Sequence, residues 1–199
     1  MEANDASEMM EAEKTTDKFR QRAAIMIAVM AMLLAITSLG GSNAGKEAVN
    51  NNVLASNYFN FYQAKNMRQT AIALAADQIE LAVLNDTSIP DAAKEPLKKK
   101  VESYRKTIAR YDSEPDTGEG KKELLIKAKE YEGKRDHALK QDPYFDYAEA
   151  LLQIAIVLTS VAIIAELGWL VGIGAVLGVV GALLMVNGYL LLVELPFLS

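Results

Sequence analysis

The chain has 199 residues, 51% of them hydrophobic and 24% charged, and a formal net charge of −5. That acidic balance lacks the basic surplus nucleic-acid binding needs, and the absence of cysteine excludes disulfides, thiolate metal sites and cysteine nucleophiles. The averages conceal a division. Residues 23–45, 150–165 and 167–193 carry no charge, whereas residues 43–147 hold 17 basic and 17 acidic side chains.

Residues 1–22 form a polar tail, expected to be disordered or loosely helical, in which Met9 and Met10 are among the few apolar residues. Lys18, Arg20 and Arg22 cluster just before the first apolar stretch, residues 23–42. That stretch matches the ~20 residues a helix needs to cross a hydrocarbon core of about 30 Å. It is long for the apolar region of a signal peptide and is read as a retained anchor. Gly40, Gly41 and Gly45 are expected to loosen its end.

From Lys46 to Ile89 there is no Gly or Pro, which reads as one long helix. Ile72, Ala76, Ile79 and Val83 alternate steps of four and three, a coiled-coil seam, and Thr87 to Asp91 supply a turn. Leu97, Val101, Tyr104, Ile108 and Tyr111 form a second seam, which Pro115, Gly118 and Gly120 interrupt. A third helical segment, from Lys121 to about Gln141, carries Leu124, Ala128 and Tyr131. Folding the later helices back on the first buries these stripes, but they are thin and rich in alanine, so further subunits are expected to complete the core.

Asp142-Pro143 is expected to break the helix, with Tyr144, Phe145 and Tyr147 as interfacial aromatics. Residues 148–166 and 169–193 are the second and third spans, joined by a short turn at Gly168 and Trp169 into an antiparallel hairpin. Pro196 closes the chain, in a C-terminal end of residues 194–199. The expected fold is an all-α membrane protein: three transmembrane helices, with a long helical coiled-coil hairpin domain (43–147) between the first and second. The basic cluster at 18–22 favours a cytoplasmic N-terminus, although Lys134, Arg135 and Lys140 approach the second span from the other side and nearly cancel that signal.

Glu166 stands out at the turn between two spans. Ionisable groups at membrane depth are costly and often mark ion paths, and a carboxylate ring can select cations; the plainer reading is an interfacial residue at the wet end of the hairpin. Glu149 is read in the same plain way. Gly174, Gly178 and Ala182 place small residues on one face of the third span, which allows close helix packing within the hairpin or between subunits. Asn187, polar within that span, is expected to hydrogen-bond to a neighbouring helix. Tyr58, Phe59, Phe61 and Tyr62 form an aromatic cluster that serves either helix packing or assembly. Lys98 to Lys100 and His137 read as solvated helix positions. No phosphate loop, nucleophile elbow or paired His/Glu metal spacing is present in the sequence, so neither an enzyme nor a cofactor is expected.

Ala55-Ser56-Asn57 with Phe61 to Thr70, Ile108 to Leu124, and Leu152 to Leu158 resemble stretches of a bacterial membrane protein family. It is the domain of unknown function numbered four thousand three hundred and thirty-seven. The resemblance covers most of the chain. It implies a bacterial inner-membrane protein with the same order of span, coil and hairpin, and it carries no activity and no functional residues. The function expected is a scaffold or accessory subunit that contacts membrane lipid and self-assembles as a homo-oligomer, or joins another membrane protein. The alternative is an oligomeric ion conduit with Glu166 near its entrance.

Overall fold

The computed structural model describes residues 2–85 and 90–195, with side chains described for all of these except 2–13 and 91. The turn expected at 87–91 falls largely on residues outside the described ones, as do Pro196 and the side chains of Met9 and Met10. Four helices follow in order: α1 (Glu2–Asn85), α2 (Asp91–Asp112), α3 (Lys121–Ala165) and α4 (Gly168–Leu190). No strand occurs among the described residues, and the fold is all-α. Three of the helices, α1, α3 and α4, are long and apolar enough to cross a membrane. The chain divides into two compact units, Met1–Ala48 with Asp136–Ser199, and Val49–Arg135.

The first unit packs the start of α1 against the end of α3 and all of α4. Ala44, Phe145, Ala148 and Met185 form one buried cluster, and Met30, Leu152 and Ala155 another. Thr37 and Thr159 are fully buried, and each hydroxyl donates to the carbonyl four residues earlier, Leu33 and Ala155. This removes the cost of an unpaired buried hydroxyl. The outer faces remain apolar: Val29, Met32, Val157, Ile164 and Val176 are exposed, as suits helices whose solvent is lipid.

Several sequence expectations change here. Gly40 and Gly41 do not loosen α1, which runs through them unbroken. They admit a neighbour instead: a Cβ on Gly40 would lie 2.6 Å from the Phe145 ring and 2.8 Å from the Tyr189 hydroxyl. Asp142-Pro143 does not break α3 either. Pro143 removes one N–H, but Leu139, whose carbonyl loses that partner, lies on the exposed side. Tyr144 and Phe145 just after it are almost fully buried, and their packing outweighs a local cost of ~3 kcal/mol. These two are therefore core residues rather than interfacial ones; only Tyr147 of the three is exposed. The hairpin turn is Glu166-Leu167 rather than Gly168-Trp169, which already belong to α4.

The second unit, Val49–Arg135, contains the far part of α1, all of α2 and the beginning of α3. Along α1, residues 51, 55, 58, 62, 65, 69, 72, 76, 79 and 83 are all buried or half-buried, at alternating steps of four and three. Leu97, Val101, Tyr104, Ile108 and Tyr111 of α2 also face inward, as do Leu124, Ala128 and Tyr131 of α3. Gln69 donates to the Ile108 carbonyl (2.9 Å), and the Tyr58 and Tyr131 rings stack at 5.5 Å, nearly parallel. The buried apolar side chains of this unit, among the described residues, are Ala55, Ala76, Val101, Leu124 and Ala128, none of them aromatic.

Candidate functional site

Polar and aromatic groups converge around the connection from α2 to α3. Helix α2 ends at Asp112, and Ser113 turns into an extended conformation. The Gly118 N–H closes a turn on the Glu114 carbonyl (2.9 Å). Gly118 has φ +66°, a left-handed value that glycine adopts without a steric penalty. Glu123, in the first turn of α3, reaches back across this loop. Its carboxylate accepts the Ser113 hydroxyl (2.6 Å) and the Glu114 N–H (3.1 Å). Those two bonds, the hydroxyl's first, hold the Glu123 carboxyl below its usual range. Gly120 is buried beneath them, and a side chain there would collide with Glu123, the Glu114 nitrogen and the Ser113 Cα.

Helix α1 supplies the other side. The Lys65 ammonium, largely buried, lies 3.6 Å from Glu114 and 3.9 Å from Glu119. The Asn66 carbonyl oxygen accepts from Lys121 (3.0 Å). Lys127 donates to the Gly118 carbonyl (3.1 Å) and stands 5.7 Å from the centre of the Tyr58 ring. Lys121 stands 6.0 Å from Tyr62, and Lys65 stands 5.5 Å from Tyr111. The aromatic cluster is thus split. Tyr58 and Tyr62 face the loop and its cations, Phe59 is half-buried, and Phe61 is exposed at the rim. A cavity of about 400 Å³ opens here, with Tyr58, Phe61, Lys65, Arg68, Thr117 and Lys127 in its wall.

The hairpin turn of the first unit is a separate place. Glu166 has φ +55°, and the Leu167 N–H that follows bonds to the Ala162 carbonyl (3.1 Å), closing the end of α3 as a left-handed cap does. The Glu166 carboxylate accepts from the Arg20 guanidinium at 2.7 Å, with both side chains about half exposed. Glu149 accepts from Gln153 (3.1 Å).

The glycine face of α4 lies against the chain's own helices. A Cβ on Gly174 would strike the Thr159 hydroxyl. On Gly178 it would lie 2.7 Å from the Met30 sulfur, on Gly181 3.0 Å from Leu152, and on Gly188 3.0 Å from Phe145. The buried series is Gly174, Gly178, Gly181, Met185 and Gly188, so Gly181 rather than the half-buried Ala182 continues the contact. Among the described residues, Asn187 makes no bond to a neighbouring helix. Its amide donates to the Val193 carbonyl (2.8 Å) and its oxygen accepts the Val193 N–H (3.0 Å). It sits in the last turn of α4, where the departing backbone needs partners, and local bonding wins. Tyr144 holds the same end: its hydroxyl donates to the Val193 carbonyl and accepts the Leu195 N–H, both at 2.9 Å.

A family model described as a domain of unknown function (DUF4337) matches residues 19–191, nearly the whole of the chain. The chain belongs to the DUF4337 family. No curated protein and no solved structure matches it. Sequence reasoning did not single out Lys65, Gln69, Arg68 or Glu123, because their partners lie far along the chain. The only signal was indirect: the resemblance marked Phe61 to Thr70 and Ile108 to Leu124 as segments, and these are the two that meet around the loop.

Proposed function

We propose that the chain is a non-enzymatic, multi-pass protein of the bacterial inner membrane that acts as a scaffold or accessory subunit and associates with further copies of itself. The observation that carries this reading is a second apolar stripe on α1, on the side away from its seam. Val53, Met67, Leu74 and Leu81 are spaced at multiples of seven and are 51%, 73%, 58% and 57% exposed. Asn57, Asn60, Ala64, Ala71 and Gln78, all exposed, fill the intervening steps of four and three. Apolar residues at that spacing in a charge-rich domain suit a parallel coiled coil between identical chains, whose first spans enter one membrane in one direction. Burying each large side chain is worth about 1.5–3 kcal/mol before ordering costs, and polar residues within the stripe favour one register.

Lys18, Arg20 and Arg22 favour a cytoplasmic N-terminus, which would leave residues 49–135 outside. The glycine face of α4 adds less to assembly, because the chain's own α1 and α3 occupy it. The ion-conduit alternative has less behind it, since the Arg20 guanidinium neutralises the carboxylate that would form the ring. The chain lacks native cysteine, so single-cysteine variants report proximity directly. Leu74→Cys in lipid nanodiscs should cross-link copy to copy, and Lys99→Cys on α2 should not. Met67→Glu with Leu74→Glu should lower the mass by light scattering. A wild-type protein running at 21.7 kDa would sink the proposal.

A further inference from the structure

The cavity beside the α2–α3 connection contains a cation that the fold does not use. Lys65 is engaged with Glu114 and Glu119, and Lys127 with the Gly118 carbonyl. Arg68 lines the same cavity and makes no ion pair or side-chain hydrogen bond among the described residues. The wall holds three cations, Lys65, Arg68 and Lys127, against one carboxylate, Glu119. Its apolar side is aromatic: Tyr58, whose ring is held by its stack on Tyr131, and the exposed Phe61. The volume, about 400 Å³, lies within the range of small-molecule sites, which combine an apolar wall with a few convergent polar groups.

We propose that this cavity binds a small organic anion, a phosphate monoester with a planar or apolar body, through the unpaired Arg68 guanidinium and the Tyr58–Phe61 wall. A guanidinium presents a planar fork of N–H donors that matches phosphate oxygens in pairs. Lys65, three residues before Arg68 on α1, and Lys127 on α3 add positive potential without leaving their loop contacts. Gly118 leaves room for Lys127 at the cavity wall, since a Cβ there would lie 3.0 Å from the Lys127 nitrogen. Every group named belongs to one chain, and the cavity borders the exposed α1 stripe, since Ala64 lines it.

The test uses full-length protein in neutral phosphatidylcholine nanodiscs, with phenyl phosphate as probe and inorganic phosphate and phenol as its two halves. Calorimetry should give millimolar or tighter binding of phenyl phosphate, with each half weaker by about tenfold or more. Arg68→Gln removes an exposed, unpaired side chain and leaves folding intact. It should weaken phenyl phosphate about tenfold and leave phenol unchanged. Phe61→Ala should weaken phenyl phosphate and phenol together, and Lys99→Gln should alter neither. Absence of phenyl phosphate binding, or equal binding to wild type and Arg68→Gln, overturns the proposal. Repeating the titration in discs containing phosphatidic acid separates two sources of the same chemistry. Unchanged affinity assigns a soluble phosphate monoester, and a drop through competition assigns a lipid headgroup. Either result retains the site.

Discussion

Glu166 occupies a backbone conformation that glycine would adopt at lower cost, by about 1 kcal/mol. Its ion pair with Arg20, half exposed on both sides, returns at most a similar amount. Glu166→Gly should therefore change thermal stability by less than about 1 kcal/mol, whereas Gly174→Leu, which drives a side chain into Thr159, should cost several. Melting of the two variants in the same detergent compares them directly. Glu123 gives a pH dependence. Its carboxyl lies below the usual glutamate range in the fold, so the stability it contributes is complete above the unfolded value, about 4.3. That contribution is lost as pH falls through the lower folded value. Exchange protection of the Glu114 amide, corrected for intrinsic rate, should drop on acidification in the wild type and show no such step in Glu123→Gln. Position in the chain showed that Glu166 sits at a turn. It could not show Arg20 as the partner, because the two are 146 residues apart and only folding brings them together.

At the scale of helices, the sequence signals that mark breaks were the least dependable. Gly40, Gly41 and Pro143 all lie inside continuous helix, because a tightly packed neighbour can outweigh a local preference. Pro143→Ala should lengthen protection around residues 139–143 and raise stability, by up to ~3 kcal/mol; slower amide exchange there is the readout. The seams of α1 and α2 at 72–83 and 97–111 were legible, since apolar residues mark them. The earlier part of the α1 seam was not, because Asn51, Tyr58, Tyr62, Lys65 and Gln69 occupy it. Asn51 is 5% exposed, and its side-chain nitrogen has no hydrogen-bond partner. Such a group costs about 1–3 kcal/mol, and a polar residue at a seam position fixes register at the expense of stability. Asn51→Leu should raise the melting temperature. A lower melting temperature would mean that the amide is satisfied in solution, for example by water.

Across the whole chain, the division between uncharged stretches and a charge-dense middle already contained the all-α architecture and its three long apolar helices. The loop and its cavity were not visible, because they depend on Lys65, Arg68, Glu114 and Lys127, residues whose type alone suggests only a solvated surface. The two units also differ in core quality. The first buries Met30, Tyr144, Phe145, Leu152 and Met185, whereas the second buries no apolar side chain larger than Leu124 among the described residues. Low density of apolar contacts leaves amides open to local unfolding. Hydrogen exchange should therefore reach residues 49–85 and 91–112 well before 145–163 and 170–190, and the reverse order would contradict this account of the cores.

The two-residue turn between α3 and α4 also constrains how the chain is made. Gly174, Gly178 and Gly181 leave room on α4 for Thr159, Ala155 and Leu152 of α3. While α4 is still being synthesised, that face of α3 is covered only in part, by Met30 and Ala44 of α1. A ribosome that stops at Glu166 would release a segment whose α4-facing side is uncovered. The hairpin therefore suits entry into the bilayer as a pair, with α3 waiting beside the insertion machinery until its glycine-lined complement arrives.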